Sequence, residues 1–261
     1  MRPVAEDPTL DWDLGPPPSA RRRMLIVVVS IVGAILLAAG AWQLLRPVFD
    51  PVDVAASRST ENAGSAGAAG DTVRLAAPSG YEGAAGYPVG FPRTELGAAS
   101  AAAAALEAAW TLDAEQAEQA AVLYAPPDQH DAARAGAREA AAGWREILGL
   151  PKEGALPDGA AMRTRTIGVQ WRARARDQIH VSVLVQVTAT KGVGDTDPTY
   201  SSPYAMSLLM AWHPGLRGTN RGDWVNVPDP LSASVPPVAL PGTPEFTAAG
   251  WKPVSGPEPT P

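Results

Sequence analysis

Residues 24–45 form an uncharged run of 22 residues, and no other stretch restricts the chain as tightly. Ser30 and Gln43 are its clearly polar members. As a helix it would extend roughly 33 Å, enough for a hydrocarbon core of about 30 Å. A lone lipid-exposed segment must satisfy its backbone internally, which selects a helix. Arg21, Arg22 and Arg23 precede the run, and Arg46 follows it. This bias predicts residues 1–23 in the cytoplasm and the remainder extracytoplasmic, with Trp42 at an interface. A cleaved leader shares the arginine triplet. Its small-residue cut sites, Ala38-Ala39-Gly40 and Ala39-Gly40-Ala41, would fall inside the apolar run. The expected location is therefore the cell membrane, crossed once.

Glycine and proline number 25 and 27 of 261 residues, so part of the chain reads as loose. Residues 1–23 read as a disordered tail, or as a short docking motif around Asp11-Trp12-Asp13-Leu14. Residues 46–92 read as a flexible Ala/Gly/Pro-rich linker, and residues 229–261 as a Pro-rich tail. Without cysteine there is no disulfide framework or thiolate chemistry. The formal charge of −6 argues against a protein that coats nucleic acid, and none is expected as a direct partner.

Residues 93–228 carry periodic patterns. Thr94 can cap a helix that ends near Trp110. Asp113-Ala114-Glu115-Gln116 opens a second helix, stopped by Pro126-Pro127. A third begins over residues 128–131 and ends before Pro151. The period then changes to two. Ile167, Val169, Trp171, Ala173 and Ala175 alternate with Gly168, Gln170, Arg172, Arg174 and Arg176. A turn at Asp177-Gln178 leads to Ile179, Val181, Val183, Val185 and Val187, which alternate with His180, Ser182, Leu184, Gln186 and Thr188. Tyr204, Met206, Leu208, Met210 and Trp212 share a third strand face, and residues 223–227 form a fourth strand. Helices first and antiparallel strands second define an α+β domain.

The expected architecture is a single transmembrane helix followed by an NTF2-like (cystatin-like) cone of three helices on four antiparallel strands, which the element order resembles. The segment Gly90-Phe91-Pro92-Arg93-Thr94-Glu95-Leu96-Gly97-Ala98-Ala99 looks like the GxPxTxxGA lead-in of integral membrane proteins from actinobacterial conjugative elements. Gly222-Asp223-Trp224-Val225 is similar to the GDW hairpin that ends their sheet. The layout is that of VirB8-type and TcpC-type proteins. Mce-associated membrane proteins share it. The resemblance implies a non-enzymatic scaffold of a conjugative DNA-transfer or type IV secretion-like apparatus. Its partners would be other membrane or channel subunits, or further copies of itself. The alternatives are an accessory subunit of an Mce-type lipid-import or other envelope complex, and a small-ligand-binding domain.

Catalytic candidates are sparse. His130, His180 and His213 lack an acid at a spacing that implies pairing. Metal-ligand spacing, phosphate loops and nucleophile elbows do not occur, so no cofactor, metal or catalytic residue is expected. Arg163, Arg165, Arg172, Arg174 and Arg176 fall on or near one sheet face. They read as a solvated face or as a partner-docking face. Arg221-Gly222-Asp223 matches an adhesion tripeptide and is explained by a turn.

Overall fold

A computed structural model describes residues 72–192, 200–218, 221–231 and 234–255. The run 24–45, with Arg21, Arg22, Arg23 and Trp42, lies outside them. Among the described residues no helix is long and apolar enough to cross a membrane.

The chain enters through a short arm, β1 (Gly80–Glu82) and β2 (Tyr87–Val89). Helix α1 follows (Glu95–Ala109). The Thr94 hydroxyl accepts the Gly97 amide at 3.0 Å and caps it. Of its alanines, Ala98, Ala99, Ala101 and Ala102 are fully buried, so the helix lies close to the sheet. Asp113 caps α2 (Ala114–Leu123) through the amides of Glu115 and Gln116. A 3-10 turn over Pro127–Gln129 leads into α3 (His130–Ile147).

The long strands are β3 (Ala161–Ala175), β4 (Gln178–Thr190) and β5 (Tyr200–His213). The short β6 (Asp223–Val227) pairs with the end of β5. After helix α4 (Pro244–Ala248), β7 (Lys252–Pro253) adds to β3. The sheet is antiparallel in the order β6-β5-β4-β3-β7.

One side of the sheet faces the helices. Val181, Val183, Val185 and Val187 share that side with Val169 and Met210, packed on the alanines of α1. The strict alternation of β4 places these valines there, as a half-buried strand requires. Strand β3 breaks its own alternation. A register shift between Thr166 and Gly168 sends Ile167 to the opposite, outer side. There Ile167 joins Leu184, Phe246 and Trp251 in a second small core.

The expected cone of three helices on four strands, behind a transmembrane helix, is therefore corrected. The described fold is α+β with four α-helices and a five-stranded antiparallel sheet. The extra helix and strand come from residues 244–253. They have five and two residues, too short for a periodic signature, and they lie in a Pro-rich stretch that reads as a tail. Tertiary burial of Phe246 and Trp251, not local propensity, holds them. The two ends of the described domain also meet. Val73 bridges Val254 in parallel, with Val73 N donating to Pro253 O at 2.7 Å and Ser255 N to Val73 O at 3.0 Å.

Candidate functional site

The two resemblance-bearing segments converge. The Asp223 carboxylate is 1% exposed and accepts the amides of Gly90 (2.7 Å) and Phe91 (3.1 Å). It also accepts the Trp224 amide at 2.9 Å and the Arg217 Nε at 3.0 Å. The Trp224 indole donates to the Pro92 carbonyl at 2.9 Å. Arg217 reaches onward to the carbonyl of Leu123 and to Glu82. One carboxylate thus joins β6, the arm, the entry to α1 and the end of α2. Two glycines make the approach feasible. A Cβ on Gly97 would lie 1.9 Å from the Pro92 carbonyl oxygen, and one on Gly222 would lie 2.5 Å from the Trp212 ring. With Asp223 occupied inside this clasp, Arg221-Gly222-Asp223 cannot offer its carboxylate to an adhesion receptor.

Tyr124 belongs to the same clasp, and its hydroxyl donates to the Pro88 carbonyl at 2.7 Å. Burial pushes this hydroxyl well above the ordinary tyrosine range. The Arg217 guanidinium opposes that shift, and Asp223 adds to it. The unfolded chain ionises near about pH 10 while the folded one keeps its proton. The contribution is therefore complete below about pH 10 and declines as pH rises toward the folded value. Urea unfolding between about pH 8 and 11 should show wild-type stability falling at the alkaline end. Tyr124→Phe should lose about 1 kcal/mol of hydrogen bonding at neutral pH and show a flatter alkaline decline.

The space between helices and sheet is filled. Trp110 and Trp144 are buried with ring centroids 5.3 Å apart, and Tyr204 lies edge-on to both. The Tyr200 and Tyr204 hydroxyls contact each other. Burial also raises the Tyr200 pKa. Trp171 lies apart from this cluster. Its indole donates to Glu95 at 3.1 Å, and Lys252 sits 4.3 Å over its ring.

The arginines predicted to share a face are divided. Register places Arg163, Arg165 and Arg172 opposite Thr188, Gln186 and His180, all on the outer side. Between Arg165 and Arg172 the carboxy-terminal segment crosses the sheet. Phe246 lies against Gly168, and Gln170 donates to the Ala249 carbonyl at 3.0 Å. Arg174 is half-buried and paired with Asp229 at 2.8 Å. Arg176 is exposed beside the β3–β4 turn.

The three histidines lie on three different elements. His130 begins α3, and His213 ends β5. His180 Nδ1 lies 3.6 Å from Asp229 Oδ2, beyond hydrogen-bond length. Its closeness to an acid 49 positions away has no local sequence signal. Among the described residues no group of histidines and carboxylates could hold a metal ion.

Open grooves mark the surface of the described residues, and three are informative. One of about 570 Å³ lies between the arm and α1 and includes Glu107, Trp110 and Arg163. Another of about 650 Å³ lies at the start of α1 beside Arg174 and Arg176. The third, about 700 Å³, lies between α2, α3 and residues 152–156. No family model, curated protein or solved structure matches this chain.

Proposed function

We propose that the chain is a non-enzymatic scaffold component of a conjugative DNA-transfer or type IV secretion-like apparatus. Residues 24–45 hold it at the cell membrane, residues 1–23 face the cytoplasm, and the α+β domain faces outward. The domain acts through contacts with other membrane and channel subunits, without a cofactor and without binding nucleic acid directly. One observation carries this reading. The two short segments that resemble conjugative-element proteins are parts of one buried clasp, in which Asp223 holds Gly90 and Phe91 while Trp224 holds Pro92. Separate chance matches would have no reason to meet. The clasp builds a surface rather than a reaction centre, since its carboxylate is surrounded by donors and closed to solvent.

Deletion of the gene tests the role. Transfer frequency should fall by orders of magnitude and return on complementation with the full-length gene. Transfer at the wild-type frequency in the deletion strain would overturn the proposal. Protease added to sealed cells should cleave the domain and spare residues 1–23.

A further inference from the structure

The described domain divides much of its charge between two segments of the chain. Residues 113–158 hold nine acidic and four basic side chains, and residues 161–192 hold six basic and one acidic. The acidic part includes the groove of about 700 Å³. Glu115, Glu139 and Glu153 line it, are exposed, and have no ion-pair partner among the described residues. The cations there are engaged. Arg138 is paired with Glu118, and Lys152 with Glu146. Arg145 is buried and donates to the carbonyls of Leu112 and Gly154.

The turn between β3 and β4 carries part of that basic charge. Arg172 and Arg176 are exposed there and have no ion-pair partner among the described residues. The turn is held against the start of α1, where Arg93 pairs with Asp177. The acidic groove lies at the other end of α1, just past Leu112. The 15 residues of α1 put roughly 22 Å between these ends. Its dipole has the same sense, positive by the arginines and negative by the groove.

We infer that the β3–β4 turn of one copy seats in the α2–α3 groove of the next, with Arg172 and Arg176 against Glu115, Glu139 and Glu153. A basic turn meets a concave acidic groove, and both belong to the same polypeptide. Turn and groove are different surfaces, so copies joined through them one after another leave a free turn at one end and a free groove at the other. The contact is head-to-tail and generates a ring or an open filament. This deepens the scaffold reading and rests on it, naming a second copy of the chain as one partner.

The test uses the full-length protein in detergent, followed by light scattering. At about 0.05 M salt the mass should rise with protein concentration beyond a dimer, and at about 0.5 M salt it should return to the monomer, because screening shortens the reach of exposed charges. The double variant Arg172→Glu/Arg176→Glu should associate at least about tenfold more weakly, and so should Glu115→Lys/Glu139→Lys/Glu153→Lys. Mixing the two variants should restore association, since each now carries the charge the other lacks. Far-ultraviolet circular dichroism checks that both are folded, and the mixture carries the result even if one is less stable. A monomer at every salt concentration, a closed dimer, or a mass unchanged by salt and by both variants would overturn the inference. If that happens while crosslinks to other channel subunits persist in membranes, the scaffold role stands without self-assembly. If the protein assembles but deletion leaves transfer unchanged, the scaffold role is the part that fails.

Discussion

Replacing Asp223 with alanine should destabilise the domain by about 3–5 kcal/mol, measured by urea unfolding. The Arg217 side chain is 10% exposed, and Asp223 is its closest carboxylate at 3.0 Å. Removing that carboxylate leaves a largely buried guanidinium with only the longer, half-exposed pair to Glu82 at 3.4 Å. It also strands the amides of Gly90 and Phe91 at the entry to α1. An unpartnered buried donor costs about 1–3 kcal/mol, and a buried charge costs more. Asp223→Asn keeps one acceptor oxygen and should recover part of the loss. Arg217→Met in the alanine background should be less damaging than the two single changes combined, because it removes the stranded charge. A cost below about 1 kcal/mol for Asp223→Ala would mean that the clasp is a surface ornament.

Phe246→Ala should cost about 3–5 kcal/mol, although its residue lies in a Pro-rich stretch. Phe246 is 2% exposed and packs with Ile167, Leu184 and Trp251. Its ring rests on Gly168, where an added Cβ would approach to 3.0 Å. The loss has two parts, the transfer of the ring and the cavity it leaves. Trp251→Ala should act similarly, since its indole also donates to the Pro237 carbonyl at 2.8 Å. Hydrogen exchange provides a second measurement. In either variant the amides of residues 244–255 should exchange much faster, while those of β4 remain protected. Unchanged protection over 244–255 would mean that the segment is held by something other than this second core.

Local signals made much of the domain legible. Asp113 and Thr94 announce helix starts because a short polar side chain before an alanine-rich run has one common use. The valines of β4 reveal a one-sided strand because alternation survives wherever no bulge intervenes. The same logic groups Ile167 with Val169, whereas the structure puts the two on opposite sides of the sheet. A single inserted residue reverses the face, and nothing in the local sequence announces it. The carboxy-terminal strand and helix were invisible because they exist by docking and have almost no intrinsic pattern.

The site was legible in pieces. Gly90-Phe91-Pro92 and Gly222-Asp223-Trp224 stood out separately, but their union spans 132 and 133 positions and needed the fold. The arginines of β3 were identified as a group. Their division by the crossing segment followed from a contact between Phe246 and Gly168 that periodicity cannot foretell. His180 and Asp229 approach for the same reason, since a sheet brings distant residues beside each other without a spacing rule.

The parallel pairing of Val73 with Val254 has a mechanical consequence. A pull between the two ends of the domain slides these segments lengthwise past each other instead of peeling them apart. The bonds from Val73 to Pro253 and from Ser255 to Val73 then bear the load at the same moment. Failure under tension is governed by the rate of that first rupture. A domain strained between an anchor and a moving assembly would hold longest in this direction.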